Sequence, residues 1–120
     1  MTDSAGSERI VLQPGPRRVL VRFAGQVVAD SANAITLHER GHDPVHYLPM
    51  EDVDRAMLED SDRSTHCPYK GDARYWSIRC AGGFSRDALW SYENPLPDVT
   101  AIQGHVAFYP DRVESISIED

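Results

Sequence analysis

The sequence predicts a mainly β domain: an antiparallel sandwich or partly open barrel of about eight short strands with one short helix. Three observations predict it. From Arg18 onward apolar residues recur with a period of two, the mark of half-buried strands. Gly, Pro and Asp-rich turn signals break that pattern at short intervals. A helical period occurs in one brief stretch and cannot build a core of its own.

In chain order, residues 1–16 are polar and Gly/Pro-interrupted, ending in Pro14-Gly15-Pro16, and are expected to form a flexible tail. A single domain over 17–120 follows. Val19, Val21 and Phe23 alternate with Leu20 and Arg22, and Gly25 turns the chain into Gln26–Asp30. Ala34–Glu39 is a third strand, with Val45–Leu48 as its partner beyond Gly41 and Asp43-Pro44. Pro49 opens the short helix, with acids early in Met50–Leu58 and Val53 and Met57 on one face. A loop is expected from Ser61 to Asp72. Ala73–Cys80 places Trp76, Ile78 and Cys80 on one face, and Ala88, Trp90 and Tyr92 share a face of the next strand. His105–Tyr109 and Val113–Ile118 are expected to pair as a hairpin around Pro110-Asp111-Arg112.

A chain of 120 residues is long enough to bury roughly 65% of its unfolded surface around one core. Twelve basic residues against nineteen acidic ones give a formal charge of −7. That balance opposes a broad nucleic-acid footprint, which needs a basic face. No apolar run approaches the length of a membrane span, and the N-terminal residues lack a basic start and a hydrophobic stretch. With two cysteines, Cys67 and Cys80, separated by twelve intervening residues, the expectation is a cytoplasmic protein without a disulfide.

His38-Glu39-Arg40-Gly41-His42 has the H-E-x-x-H form of zinc proteases, but that chemistry needs a helix to set both imidazoles on one side of the metal. The β pattern before it and Gly41 and Pro44 after it make it a hairpin turn. Across such a hairpin His38 is expected to face His46, at most an incidental metal pair; no metal and no cofactor are expected. Asp52-Val53-Asp54 imitates a two-magnesium carboxylate pair, yet solvated acids in a first helical turn account for it.

The densest chemistry lies in Thr65–Trp76. Cys67 sits beside His66 and three residues before Lys70, and nearby cations raise thiol reactivity. Tyr69 and Tyr75 add phenols, and Trp90 and Tyr92 supply a second aromatic wall. A few polar groups converging on an apolar cup describe a small-molecule site, while a packed aromatic mini-core is the plain alternative. In an enzyme, Cys67 is the nucleophile, His66 or Lys70 its activator, and Tyr75 or Tyr92 a proton donor. A free Lys70 ammonium attracts an anionic or carbonyl-bearing ligand, so Lys70→Met is expected to change stability by less than about 1 kcal/mol while abolishing binding. The rival class is a non-catalytic module holding a peptide or partner protein in the same cup. Nothing in the residues sets an oligomeric state.

Phe23-Ala24-Gly25, Val28-Ala29-Asp30-Ser31, Tyr47-Leu48-Pro49, Ser64–Gly71 with its Cys-Pro-Tyr-Lys-Gly run, Ala88–Pro95 and Gly104–Tyr109 together resemble a bacterial and fungal family, domain of unknown function 427. The similarity spans about residues 17–120. It implies a compact β-tent fold, shaped like methionine sulfoxide reductase B and the cereblon ligand-binding domain. The paired C-x-x-C zinc ligands of those relatives are missing here, so their metal does not carry over. The family also carries a nucleotidyltransferase label; metal-dependent nucleotidyl transfer would require Asp52 and Asp54 near Lys70.

Overall fold

The computed structural model describes residues 9–120. Ten strands follow in order: β1 Ile10–Pro14, β2 Arg18–Phe23, β3 Gln26–Ser31, β4 Ile35–Glu39, β5 Val45–Pro49, β6 Leu58–Cys67, β7 Gly71–Cys80, β8 Gly83–Tyr92, β9 His105–Phe108 and β10 Ser115–Glu119. They form two antiparallel sheets and no closed barrel. The larger is ordered β1-β4-β5-β9-β8-β7-β6 and the smaller β10-β2-β3. The mainly β class and the alternating strands are as the sequence implied.

Local chemistry explains the hairpins. Between β2 and β3, Ala24 and Gly25 both take positive φ, 50° and 79°, the conformation that a two-residue turn needs to match strand twist. Between β6 and β7 the Lys70 amide donates to the Cys67 carbonyl at 3.2 Å, closing a turn with Pro68 at its favoured second position. Gly71 then takes φ 120°, and a Cβ there would sit 3.2 Å from the Asn94 carbonyl oxygen.

Alternation divides the core. Leu48, Trp76, Ile78, Leu89, Val106 and Phe108 face Val19, Val21, Val28 and Ala29 of the small sheet. Their neighbours Tyr47, Tyr75, Tyr92 and Ala107 form a second cluster with Leu37, Val99 and Ile102, the last two in a 3-10 segment Pro97–Ile102.

Four expectations need correction. Of the expected tail, residues 1–8 lie outside the described residues, but Ile10–Pro14 pairs with β4, from Ile10 opposite Glu39 to Pro14 opposite Ile35. The aliphatic run Ile10-Val11-Leu12 belongs to an edge strand that buries alternate side chains, Ile10 and Leu12, against the second cluster. The single helix is instead two 3-10 turns, Met50–Asp52 and Arg55–Met57, split by an extended Val53. Val53 bridges Ala29 and is buried, while the Asp54 amide donates to the Val28 carbonyl at 2.7 Å; tertiary pairing overrides helix propensity here. The 61–72 loop is largely strand, because β6 is the opposite edge and shows solvent its polar residues. Finally, β9 and β10 do not pair: the Pro110–Arg112 turn carries the chain from the large sheet to the small one, where β10 pairs β2.

Docking of β1 yields a prediction. Removing residues 1–14 deletes two half-buried aliphatic side chains, each worth about 1 kcal/mol. The melting temperature should fall by about 10 °C. A change of only a few degrees in thermal unfolding would show that β1 contributes nothing.

Candidate functional site

The sheet order assembles an open cleft of about 430 Å³. Its walls come from Leu37 and Glu39 of β4, Val45 and Tyr47 of β5, the β6–β7 turn, Tyr75 of β7, Trp90 and Tyr92 of β8, and Tyr109 just beyond β9. All seven residues singled out in the sequence, His66, Cys67, Tyr69, Lys70, Tyr75, Trp90 and Tyr92, line it. Trp76 does not; it turns to the inter-sheet core.

Register explains the convergence. Tyr75 stands opposite Trp90 and Ala73 opposite Tyr92, while Trp90 also stands opposite Ala107. Small residues thus lie beside large rings, leaving room above the sheet. The rings hold one another: Trp90 lies 4.5 Å from Tyr109 by centroids, tilted 40°, and meets Tyr47 edge-on at 6.3 Å. Tyr75 and Tyr109 are parallel within 7° at 6.5 Å. The Trp90 indole N–H donates to Tyr47 Oη at 3.2 Å, and Tyr75 Oη meets Thr65 Oγ1 at 2.9 Å.

The polar groups are arranged differently from the sequence expectation. Lys70 Nζ donates to Glu39 Oε1 at 2.6 Å, with the two side chains only 12% and 11% exposed. The ammonium is therefore held by a carboxylate thirty-one residues away rather than left free. His66 Nδ1 lies 2.7 Å from Asp72 Oδ1, and its side chain is 69% exposed. Cys67, half-buried and reduced, faces the cleft, while its expected activators, which also line it, are paired with carboxylates.

Burial shapes the phenols. It pushes the Tyr47 and Tyr92 hydroxyls well above the ordinary phenol range, and Tyr109 up to about 12 with the adjacent Tyr75 contributing. After burial, the groups that raise Tyr92 are Tyr47, Cys67, Tyr75 and Tyr109, all of the cleft. Tyr92 is 6% exposed, and its hydroxyl makes no hydrogen bond among the described residues.

Of the remaining motifs, only Glu39 and His42 of the His38–His42 run reach the cleft. His38 and Glu39 end β4 and His42 lies in the turn, with its Nε2 4.0 Å from Glu39 Oε2. His46 stands opposite Thr36 rather than His38, as the β4–β5 register dictates, and its Nδ1 lies 2.8 Å from Thr36 Oγ1. Burial, then His38, lowers the His46 pKa. Among the described residues no three His, Cys, Asp or Glu side chains are grouped to hold a metal. Asp52 accepts from Ser31 Oγ at 2.7 Å and Asp54 caps the Ala56 amide at 3.1 Å; neither lines the cleft with Lys70.

Glu39, Tyr47 and Tyr109 were missed as cleft residues. Each sits on an alternating strand or its end, so its facing was legible, but its neighbour strand was not.

The fold and cleft define a class, an open two-sheet antiparallel β domain with an aromatic hollow on one face. Residues 11–119 match the family model described as domain of unknown function DUF427, and the chain belongs to that family. A search of curated proteins finds no match.

The Lys70–Glu39 pair makes a prediction opposite to that for a free cation. Lys70→Met leaves the Glu39 carboxylate buried without a counter-charge and should cost about 3 kcal/mol. Adding Glu39→Gln should recover most of the loss. Chemical denaturation of the three variants checks this; a Lys70→Met cost below about 1 kcal/mol would show that the pair is solvent-screened.

Proposed function

We propose that this chain is a small-molecule-binding domain and that the aromatic cleft is its site. The observation that carries the reading is the set of aromatic rings that walls an open cleft. Protein interiors close-pack, so five aromatic rings converging from three strands and the residue after β9 ordinarily fill the volume between them. Here they wall an open hollow of about 430 Å³, within the size range of ligand pockets. Mutual ring contacts fix the walls before any ligand arrives, which lowers the ordering cost of binding.

Binding is favoured over catalysis by the placement of the polar groups. A thiol nucleophile needs a base or cation within hydrogen-bond reach. Among the described residues the Cys67 thiol makes no hydrogen bond to His66 or Lys70, and Lys70 is held by Glu39. Nucleotidyl transfer draws no support from the site, since phosphates and their metals need several uncommitted charges.

The test is a thermal-shift screen of small metabolites on the wild type and on Cys67→Phe, whose added ring occupies the cleft. A ligand at a hundred times its Kd stabilises by about 2.7 kcal/mol, a rise of about 10 °C for a domain of this size. Hits should shift the wild type and leave Cys67→Phe unmoved. Hits that shift both proteins equally would place binding elsewhere and defeat the reading.

A further inference from the structure

We propose that the cleft takes an uncharged, flat acyl compound, an aromatic or heteroaromatic amide or ketone, whose carbonyl oxygen accepts a hydrogen bond from Tyr92 Oη. This rests on the cleft being a binding site and adds the chemical class of its occupant.

The hydroxyl of Tyr92 is the starting point. Buried polar groups are almost always hydrogen-bonded, and one left without a partner is costly. Tyr92 is 6% exposed, lines the cleft, and has no partner among the described residues. Burial holds it protonated, so it is a donor aimed at an acceptor the protein does not supply. Tyr47 accepts from the Trp90 indole and Tyr75 meets Thr65, so of these three buried phenols Tyr92 alone has no hydrogen-bond partner of either kind among the described residues.

Charge narrows the class from both sides. An anion is disfavoured because Lys70 is neutralised by Glu39, while Asp43 also lines the cleft. The surroundings that oppose a phenolate at Tyr92 oppose a ligand carboxylate equally. A cation is a natural occupant of an aromatic box. Here, however, the Arg63 and Arg112 guanidiniums already lie over Tyr75 and Tyr109, at 4.6 and 5.0 Å from the ring centroids. Those two ring faces are therefore already taken, and a second cation would lack them. A neutral acceptor remains. Flatness follows from the walls: the Trp90, Tyr109 and Tyr47 rings offer faces and edges that a planar body contacts most fully.

Three probes of one shape test the charge: benzamide, benzoate and phenyltrimethylammonium. Each is titrated into nitrogen-15-labelled protein while the Trp90 indole N–H resonance is followed, with Trp90→Phe assigning it. Benzamide should bind at least tenfold more tightly than the two ions. Tyr92→Phe should weaken benzamide about tenfold, the worth of one buried hydrogen bond, with an unchanged or higher melting temperature because an unsatisfied hydroxyl has been removed. Equal or tighter binding of either ion to the wild type overturns the proposal, as does a Tyr92→Phe protein that binds benzamide normally or melts markedly lower. Those outcomes leave the cleft standing as a site. If none of the three probes moves Trp90, the proposal and the binding reading fall together.

Discussion

The insertion of β9 between β5 and β8 is the constraint on which the rest of the structure depends. A four-residue strand at the centre of the large sheet joins the β1-β4-β5 half to the β8-β7-β6 half. It sets Val106 against Leu48 on one side, while Ala107 faces Trp90 and Phe108 faces Leu89 on the other. A one-residue slip would exchange every side chain between the inter-sheet core and the cleft. Val106 and Ala107 are fully buried, and the two faces differ in kind: mostly aliphatic with Trp76 and Phe108 towards the small sheet, tyrosine-rich and hollow away from it.

That constraint explains what the sequence disclosed and what it withheld. The β2–β3 and β4–β5 hairpins were legible as alternation and turn chemistry within a few residues, and so was the cluster around Cys67-Pro68-Tyr69-Lys70. Local spacing suffices where a turn fixes the pairing. Nothing local says that β9 enters between two strands already linked to other neighbours, so Tyr47 and Tyr109 were not placed beside Trp90. Edge strands misled in a second way. Both β1 and β6 bury little, and a strand without apolar alternation resembles a tail or a loop. The charge of Lys70 was misjudged for a related reason: its partner lies on β4, and no periodicity connects the two.

Electrostatically the cleft is a neutral enclosure with charges committed around it. The Lys70–Glu39 pair braces the β6–β7 turn against β4, and Arg63 and Arg112 cover the Tyr75 and Tyr109 rings. Within that frame the phenols stay protonated because ionised oxygen is poorly solvated among apolar rings. The same low polarity strengthens any single hydrogen bond made inside. On the proposed reading, the cleft selects by shape and by one or two donors, not by net charge.

The account stands most directly on the protonation of the cleft phenols, which carbon-13 NMR of the tyrosine ring Cζ measures as pH is raised. Tyr47 and Tyr92 should remain protonated as far as the fold survives, and Tyr109 should ionise near 12. Because these folded-state values exceed the unfolded value of about 10, the linked stability is complete below that pH and falls as pH rises above it. A Tyr92 that titrates near 10 in the folded protein would contradict the account, since its hydroxyl would then be solvated rather than held, unpartnered, in the cleft.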